Sequence, residues 1–257
     1  MGSEPQRKTF NEFWGELLLV RFHSDGREFR EFSERRADWL LRHLSGFPAA
    51  RVLDLGCGNG VLDLCLAARG AQVTAVDRIG PVMEWACRQA GQADIRFITA
   101  DLRKASFPAT SFDAVLLLGF VGLMSAADDA ALFARARGWL AEGGRLLVDC
   151  PLEPRQLSDH WQRPLEGGML DFRSAYDPES RLQHLLPTFH QDDGQVVELY
   201  DPYDPARPGA DQATGVLRYV YSPEVLTGML VASGFTVRRE EHLSPADHYL
   251  LVADAVP

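Results

Sequence analysis

Hydrophobic and polar positions repeat along the chain in a pattern that predicts a sheet of mostly parallel strands. Between residues 52 and 150, short apolar runs typical of buried strands are separated by stretches with apolar residues at helical spacing. This alternation predicts parallel strands joined by right-handed helical crossovers. The predicted strands cover 52–55, 73–77, 95–100, 112–118 and 145–150, and the predicted helices cover 61–69, 81–90 and 126–141.

A further stretch of the same kind lies near the end of the chain. Ser222-Pro223-Glu224 is a typical helix start, and Gly234 stands where that helix would end. The runs Thr236–Glu241 and His248–Ala253 predict two more strands. The pattern therefore predicts an α/β fold with a doubly wound, mostly parallel sheet of seven strands.

Residues 151–221 do not fit this alternation. Turn signals there separate four short β-like runs: Leu170–Tyr176, Leu182–His190, Val196–Tyr200 and Val216–Tyr221. They predict an antiparallel meander inserted after the fifth strand. Because open α/β sheets bind ligands at the carboxyl ends of their strands, where this insertion leaves the sheet, we expect it to cover the active site. A dimerisation sheet or a purely stabilising sheet is the alternative.

The N-terminal segment predicts two helices. Residues 9–22 have apolar residues at helical spacing, Ser24-Asp25-Gly26 breaks the pattern, and Ser33 is a predicted N-cap of the second helix. That helix would turn three apolar residues towards the sheet: Trp39, Leu40 and Leu44.

Three glycines at every second position follow the first predicted strand: Gly56, Gly58 and Gly60. Glycine permits positive φ and lets the backbone come close to a ligand. With the helix that follows, the turn predicts a site where free N–H groups and the helix dipole meet an anionic group. A tight turn without a ligand is one alternative. A dinucleotide site is disfavoured because its fingerprint is G-x-G-x-x-G, whereas this loop is G-x-G-x-G.

Acidic residues lie at three of the predicted strand ends: Asp54, Asp77 and Asp101. Carboxyl ends of parallel strands meet at one edge of a sheet, so the three carboxylates are expected to face one ligand site. Asp77, after the second strand, is placed to accept hydrogen bonds from ribose hydroxyls.

The segments Val52–Gly60, Asp77, Ala100–Leu102 and Phe112–Leu118 together resemble the successive motifs of class I S-adenosylmethionine-dependent methyltransferases of the small-molecule type. The resemblance covers about residues 48–150 and resumes over 222–254. It implies S-adenosylmethionine as the cofactor. The implied cofactor-binding residues are Asp54, Gly56, Cys57, Gly58, Gly60, Asp77, Arg78, Ile79, Asp101, Leu102 and Leu118. Asp54 and the glycine loop would hold the methionine part, Asp77 the ribose, and the Leu118 carbonyl the amino group. Arg78 and Ile79 would border the adenine, Asp101 would meet its exocyclic amine, and Leu102 would supply a backbone N–H to the ring.

The resemblance also implies a division of the chain. Residues 1–47 would be an N-terminal helical lid, 48–150 and 222–257 the cofactor-binding core, and 151–221 an inserted β-rich substrate cap. The last strand of the core would run antiparallel to the others. Helices that only cover a sheet face remain the alternative for the N-terminal segment.

The reaction that the resemblance implies is an in-line displacement at a methyl group, for which an acceptor hydroxyl needs a base. Candidate catalytic residues on the meander are His184, His190 and Tyr219. Alternation puts His184 and His190 on one face of their strand, as a hypothetical base and its orienter. The residues after the fourth strand, Gly119–Met124, lack the Asn-Pro-Pro-Tyr-like motif of base- and glutamine-directed relatives.

Composition narrows the choice of partner. The formal net charge of −10 over 257 residues argues against a nucleic-acid partner bound through phosphates. The four cysteines form no C-x-x-C pair, so reduced thiols and no metal site are expected. The chain starts without a signal-peptide pattern and has no apolar run long enough to span a bilayer, which predicts a cytoplasmic protein. A homodimer is left open.

These observations favour methyl transfer from S-adenosylmethionine to N or O of a small-molecule acceptor. The alternatives are a tRNA or protein methyltransferase and a nicotinamide-dependent oxidoreductase.

Overall fold

The computed structural model describes residues 6–9, 26–47, 49–91, 93–151, 160–165, 167–200, 216–243 and 248–256. These residues form thirteen strands, numbered β1 to β13 along the chain, and five helices, numbered α1 to α5. Apart from Thr9, the predicted helix over 9–22 lies outside the described residues.

Seven strands form the larger sheet: β2 (Arg51–Leu55), β3 (Gln72–Asp77), β4 (Ile95–Thr99), β5 (Phe112–Leu118), β6 (Leu140–Pro151), β12 (Phe235–Glu240) and β13 (His248–Ala255). Their order across the sheet is β12-β13-β6-β5-β2-β3-β4. Neighbours from β4 to β6 are parallel, whereas β13 is antiparallel to both β6 and β12. The predicted seven-stranded, mostly parallel sheet with an antiparallel last strand is confirmed.

Helices cover both faces of this sheet: α1 (Gly26–Arg42), α2 (Val61–Ala67), α3 (Gly80–Ala90), α4 (Ala126–Trp139) and α5 (Pro223–Ala232). Leu40 and Leu66 bring α1 and α2 into the core on one face. Leu132 and Leu226 bring α4 and α5 into the core on the other. Because both faces are buried, the central strands β2, β3 and β5 are mostly apolar, as the doubly wound prediction requires. Among the described residues, no helix combines the length and the hydropathy needed to cross a membrane.

Strand β2 sends alternate residues to the two faces. Val52 packs in the core beneath α1 and α2, whereas Leu53 and Leu55 pack in the core beneath α4 and α5. Asp54 therefore faces α1 and α2 at the end of its strand. This placement brings its buried carboxyl group under the loop that follows β2.

The second sheet is the predicted meander with two additional strands. It contains β1 (Gln6–Thr9), β7 (His160–Leu165), β8 (Gly168–Asp177), β9 (Leu182–Gln191), β10 (Val196–Tyr200) and β11 (Val216–Tyr219). The order is β1-β10-β9-β8-β7, and β11 also pairs with β9. All pairs are antiparallel except β1 with β10. Hereafter these six strands are called the cap sheet.

Strand β9 carries a proline in its interior. Pro187 lies between the residues that pair with β11, 182–185, and those that pair with β10, 188–190. Proline has no N–H to donate to a neighbouring strand, and neither β10 nor β11 pairs with β9 at residue 187. The proline therefore falls at the junction between the two partner strands.

Several predicted details are wrong. Ser33 does not cap a helix, because α1 begins at Gly26 and Ser33 is buried in its interior. Residues 6–9 form β1 of the cap sheet, so the segment 1–47 is not helical throughout. Strand β6 starts at Leu140 instead of Arg145, with Gly143 at φ +70° inside it and a register shift opposite β5. Between the pairs Phe112–Leu140 and Ala114–Arg145 the chain advances five residues in β6 against two in β5, so the predicted glycine turn lies in a bulge within the strand.

Candidate functional site

The glycine loop after β2 curls over the end of β3. Gly56, Gly58 and Gly60 have φ of +84°, +57° and +71°. The N–H groups of Gly56 and Cys57 donate to the carbonyl oxygen of Val76 at 2.8 and 3.1 Å. A Cβ on Gly56 would come within 2.8 Å of the Phe120 ring. Glycine is therefore required here both for the left-handed backbone and for the close approach of the β5 loop.

Asp77, at the end of β3, ties this loop to the second strand. Its Oδ2 accepts a hydrogen bond from the N–H of Gly58 and its Oδ1 one from the N–H of Ile79, each at 3.0 Å. Burial raises the pKa of Asp77, while these backbone donors act against that rise. Each carboxylate oxygen keeps a lone pair that can accept from a ligand hydroxyl.

Asp101 and Leu102 follow β4 at the same edge. The guanidinium of Arg103 holds Asp101, with Nη2 at 2.6 Å from Oδ2 and Nε at 3.0 Å from Oδ1, and lowers its pKa. Leu102 is buried, and its carbonyl oxygen accepts from Nη2 of Arg135 at 2.8 Å. An adenine amine bound by Asp101 would therefore share the carboxylate oxygens with Arg103.

A pair of buried carboxyl groups lies under the glycine loop. Asp54 of β2 is 3% exposed and Asp63 of α2 is fully buried. The two carboxyl groups are within hydrogen-bonding reach of each other. Burial raises the pKa of both groups, that of Asp54 to about 7.

Strand register places several strand ends in one row. Asp54 is opposite Leu116 of β5, Leu118 is opposite Asp149 of β6, and Asp149 is opposite Leu250 of β13. Gly56, Leu118, Asp149 and Leu250 therefore stand at one level, and His248 stands two residues beyond them. Neighbouring strands lie about 4.8 Å apart, so His248 is roughly 10 Å across the edge from β5.

Asp149 is the centre of a buried polar cluster on this edge. It accepts hydrogen bonds from the N–H of Gly119 and from the guanidinium of Arg36 in α1, and Nε2 of His242 is 3.6 Å from its Oδ2. Burial raises the pKa of Asp149, but His242, Arg36 and the Gly119 N–H outweigh it and hold the pKa below its ordinary value. Asp149 is therefore ionised.

Two histidines extend this cluster towards the end of β13. His242 is buried, with its ring 5.0 Å from that of Trp39 and 5.2 Å from that of His248. Burial lowers the pKa of His248; His242, Arg218 and Arg36 lower it further, and Asp149 opposes them. His248 is therefore neutral at pH 7 and able to accept a proton.

The cap sheet docks on the loop that follows β5. The N–H of Tyr219 donates to the carbonyl oxygen of Gly122 at 2.8 Å. Oδ2 of buried Asp129 accepts from the N–H of Gly122 at 3.0 Å and from the hydroxyl of Tyr221 at 2.9 Å. Burial raises the pKa of Asp129 to about 7 despite both hydrogen bonds. The end of β11 is thereby fastened to the carboxyl edge of the larger sheet.

Comparisons with known proteins match this geometry. A family model described as a methyltransferase domain covers residues 52–144. An uncharacterized methyltransferase of Mycobacterium tuberculosis is 36% identical over 124 residues, which are 48% of this chain and 62% of that protein. A ubiquinone biosynthesis O-methyltransferase of Xylella fastidiosa is 32% identical over 130 residues, 49% of this chain and 51% of that protein. Both matches span less than two thirds of the relative.

A solved structure shares the fold over nearly the whole chain. Calicheamicin-pathway CalS10 of Micromonospora echinaspora, an amino pentose methyltransferase with bound S-adenosylmethionine, aligns with a TM-score of 0.67 at 20% identity. The alignment covers 93% of this chain and 97% of CalS10. The chain contains a class I S-adenosylmethionine-dependent methyltransferase domain. The predicted family and its cofactor are confirmed.

The residues of this methyltransferase domain fit the cofactor. The positive-φ glycines leave a cradle over β2 that side chains would fill, and Asp77 offers two acceptors beside it. Asn59, 4% exposed and adjacent to the cradle, has an Nδ2 that finds no acceptor among the described residues. These groups supply the donors and acceptors that an amino acid joined to a nucleoside needs. The individual cofactor contacts predicted above stay predictions.

The three predicted catalytic residues of the methyltransferase lie on two strands of the cap sheet. His184, half-buried, and His190, exposed, are six positions apart on β9, a distance of about 20 Å along a strand. At this distance one histidine cannot orient the other, so they do not act together as a base and its orienting partner. Each histidine alone remains a predicted catalytic residue. Tyr219 ends β11 at the docking point on Gly122, next to the edge where the cofactor is expected.

Sequence reasoning missed the cluster around Asp149. Asp149 obeys the same rule as Asp54, Asp77 and Asp101, since it follows an apolar run near the end of a predicted strand. Its partners Arg36 and His242 come from 113 positions before it and from beyond the cap, and no local pattern joins them. The described residues contain no cluster of three or more His, Cys, Asp or Glu placed to hold a metal ion.

Replacing Asp149 by Asn is expected to lower the free energy of unfolding by about 3 kcal/mol, because it leaves the Arg36 guanidinium without its counter-charge. The side chain of Asp149 is 4% exposed and that of Arg36 is 22% exposed. A folded-state pKa below the unfolded one, about 3.9, means that the stabilisation is present above pH 4 and is lost as pH falls through the folded value. Urea unfolding at pH 7 measures the effect.

The matched control for Asp149→Asn is Asp38→Asn. Asp38 pairs with Arg69, but its side chain is 63% exposed, and an exposed ion pair contributes far less to stability than a buried one. Equal losses in the two variants would contradict the structural role of the buried pair.

Replacing Asp77 by Ala is expected to weaken S-adenosylhomocysteine binding by roughly 1.5–3 kcal/mol, the loss of hydrogen bonds to a charged group. Isothermal calorimetry measures the affinity. Asp113→Asn is the control, because Asp113 pairs with Arg51 at the first residue of β2, the opposite end of that strand. Unchanged affinity in Asp77→Ala would remove Asp77 from the cofactor site.

Proposed function

We propose that this protein transfers the methyl group of S-adenosylmethionine to a nitrogen or oxygen atom of a small-molecule acceptor. The observation that carries the proposal is the docking of β11 on Gly122, which sets the cap sheet against the carboxyl edge next to the glycine loop. A covered edge favours an acceptor small enough to be enclosed. It disfavours a tRNA or a folded protein, as does the net charge of −10.

Related proteins support the same class of acceptor. Ubiquinone biosynthesis O-methyltransferases are among the sequence relatives, and sugar N-methyltransferase KedS8 of Streptoalloteichus is among the structural ones, with a TM-score of 0.65. Those names describe the relatives, and they favour N or O transfer here without choosing between them. The family match sets aside the nicotinamide-dependent oxidoreductase.

The cofactor supplies a methyl group on a positively charged sulfur, which an acceptor atom attacks in line. In our proposal the glycine loop and Asp54 hold its amino-acid part, and Asp77 holds its ribose. Phe120, packed on Gly56, and the docked cap sheet exclude water from the space above.

We further propose that His248 accepts the proton of the acceptor. Its position beyond the row of strand ends puts it on the ligand side of the edge, and its neutral form is the one that accepts. His242 and ionised Asp149 lie behind it, so that a proton on the imidazole is balanced by a buried negative charge. The positive charge of Arg218, from the cap sheet, lowers the pKa of the same imidazole.

Other features of the protein remain proposals. We keep 1–47 as a lid, 48–150 with 222–257 as the core and 151–221 as the cap, with β1 added to the cap. Cys57, Cys65 and Cys87 are free thiols, which favours a cytoplasmic location. A homodimer would be detected by light scattering.

A methyl-transfer screen tests the proposed function. The protein is incubated with S-adenosylmethionine that carries a tritiated methyl group. Separate reactions contain a metabolite extract, bulk tRNA or bulk protein as the acceptor. Label is expected in a small-molecule product that chromatography separates from S-adenosylmethionine, and not in tRNA or protein. The Gly56→Ala variant, whose added Cβ would meet the Phe120 ring at 2.8 Å, is the negative control. Label in tRNA or protein alone would overturn the small-molecule proposal.

A further inference from the structure

We propose that Asp63 is a positioning residue of the cofactor site, which holds the proton of a buried carboxyl pair and uses it to orient Asp54 towards the amino group of the cofactor. The inference rests on the cofactor and does not depend on the acceptor. Asp63 belongs to neither the glycine loop nor the strand-end acids.

Burial gives the first reason. Asp63 is fully buried in α2, two positions after the first residue of that helix, and Asp54 is 3% exposed in the strand beneath. Among the described residues, neither oxygen of Asp63 forms a hydrogen bond of ordinary geometry, and only the carboxyl group of Asp54 and the N–H of Asp63 itself come within reach. A buried carboxylate with so little hydrogen bonding is strongly unfavourable, so Asp63 is expected to be protonated.

Hydrogen bonding gives the second reason. Two ionised carboxylates cannot bond to each other, but a protonated carboxyl group donates to an ionised one. The reach between Asp63 and Asp54 therefore corresponds to an O–H of Asp63 pointing at Asp54. This hydrogen bond engages one oxygen of Asp54 and leaves the other available to the amino-acid part of the cofactor, which is expected at the loop.

The surrounding charges decide how the pair responds to pH. Arg36 of α1 stabilises ionised Asp54, whereas Asp77 of β3 and Asp149 of β6 destabilise it, together with burial. With these opposing influences Asp54 titrates near neutral pH, with a pKa of about 7. A cofactor ammonium group favours the ionised form, so binding is expected to expel a proton from Asp54 as the pH falls below 7.

Calorimetric titration with S-adenosylhomocysteine tests the proposal and needs no acceptor. The wild-type affinity is expected to fall about tenfold between pH 8 and pH 6, since below its pKa Asp54 must lose a proton to bind. At pH 7 the heat of binding is expected to depend on the ionisation enthalpy of the buffer, with about half a proton released per site. These wild-type measurements stand even when a variant does not fold.

The informative variants are Asp63→Asn and Asp63→Leu. The amide of Asp63→Asn still donates to Asp54, so the affinity and its tenfold pH dependence are expected to be kept. Asp63→Leu removes the donor that lowers the pKa of Asp54, so a rise of about one pKa unit is expected to weaken binding at pH 7 about fivefold. Asp129→Asn is the matched control, because Asp129 is also buried with a raised pKa but belongs to the docking of the cap sheet. That control is expected to keep the wild-type pH dependence.

The outcomes separate this proposal from the proposed function. A wild-type affinity that does not change with pH, or an Asp63→Leu variant that binds as tightly as the wild type at pH 7, would overturn the role of Asp63. Failure of S-adenosylhomocysteine to bind at any pH would overturn the assignment of the cofactor site itself. Methyl transfer to a macromolecule would overturn only the small-molecule acceptor.

Discussion

Gly122→Ala is expected to lower the turnover of methyl transfer by at least about 100-fold while leaving S-adenosylhomocysteine affinity within about twofold. A Cβ at Gly122 would lie 2.0 Å from the carbonyl oxygen of Tyr219, and the residue has φ +89°. Backbone cannot rotate away as a side chain can, so β11 must leave its docking point. A displacement of about 1 Å in acceptor-positioning groups can cost 100-fold in rate.

A left-handed glycine elsewhere separates this clash from backbone strain. Gly143 has φ +70° with open space around its missing Cβ, so Gly143→Ala carries the strain without the clash. It is expected to retain turnover, measured with labelled S-adenosylmethionine at saturation. Full turnover in Gly122→Ala, or an equal loss of cofactor affinity, would contradict a separate role for the docked cap sheet.

The larger sheet was predictable because its signals are local. Most of its strands are apolar runs, and two helices carry a side-chain cap at their start: Ser125 accepts from the N–H of Asp128 at 3.1 Å. Ser222 does the same for Val225 at 3.3 Å. The antiparallel direction of the last strand came from family resemblance. The order of the strands was not predicted, since periodicity does not specify neighbours.

What the sequence did not reveal depends on contacts between distant segments. Strand β1 has only four residues, Gln6–Thr9, without alternation, and it exists by pairing with β10. Strand β7, on the edge of the cap sheet, contains Pro164. Proline tolerates an edge position, so a run that looks unfit for a strand becomes one when a partner offers a free edge.

The candidate site divides in the same way. Gly56, Asp54 and Asp77 could be identified because each follows from the rule that parallel strands end at one edge. The predicted pairing of His184 with His190 failed because a shared face says nothing of the distance along the strand. His242, His248 and Asp149 meet only through the register of β6 and β13 and through the return of the chain after the cap.

Replacing His248 by Asn is expected to lower the acceptor kcat/KM by about 100-fold or more, the usual contribution of a general base. Asparagine cannot take a proton at neutral pH. The affinity for S-adenosylhomocysteine is expected to change little, because the residues proposed to bind the cofactor lie on other strands and their loops. Steady-state kinetics with the acceptor identified by the labelled screen measures the effect.

The pH profile distinguishes a base from a packing residue at position 248. At saturating S-adenosylmethionine, wild-type kcat/KM for the acceptor is expected to rise to a plateau through a pKa below 6.5, since burial and two arginines, Arg36 and Arg218, keep the imidazole neutral. In His248→Asn that rise is lost, and the rate increases only where the acceptor itself ionises.

His43 provides the control for this experiment. Its ring lies 5.5 Å from that of Trp39, which also contacts His242, and its carbonyl oxygen accepts from Arg145 of β6. Burial lowers the pKa of His43 as it does that of His248, so His43→Gln removes a similar imidazole that lies beside Arg145 instead of in the Asp149 cluster. Retained activity in His43→Gln together with loss in His248→Asn would place proton transfer at the carboxyl edge. Equal losses would show that both histidines act through packing and not through proton transfer.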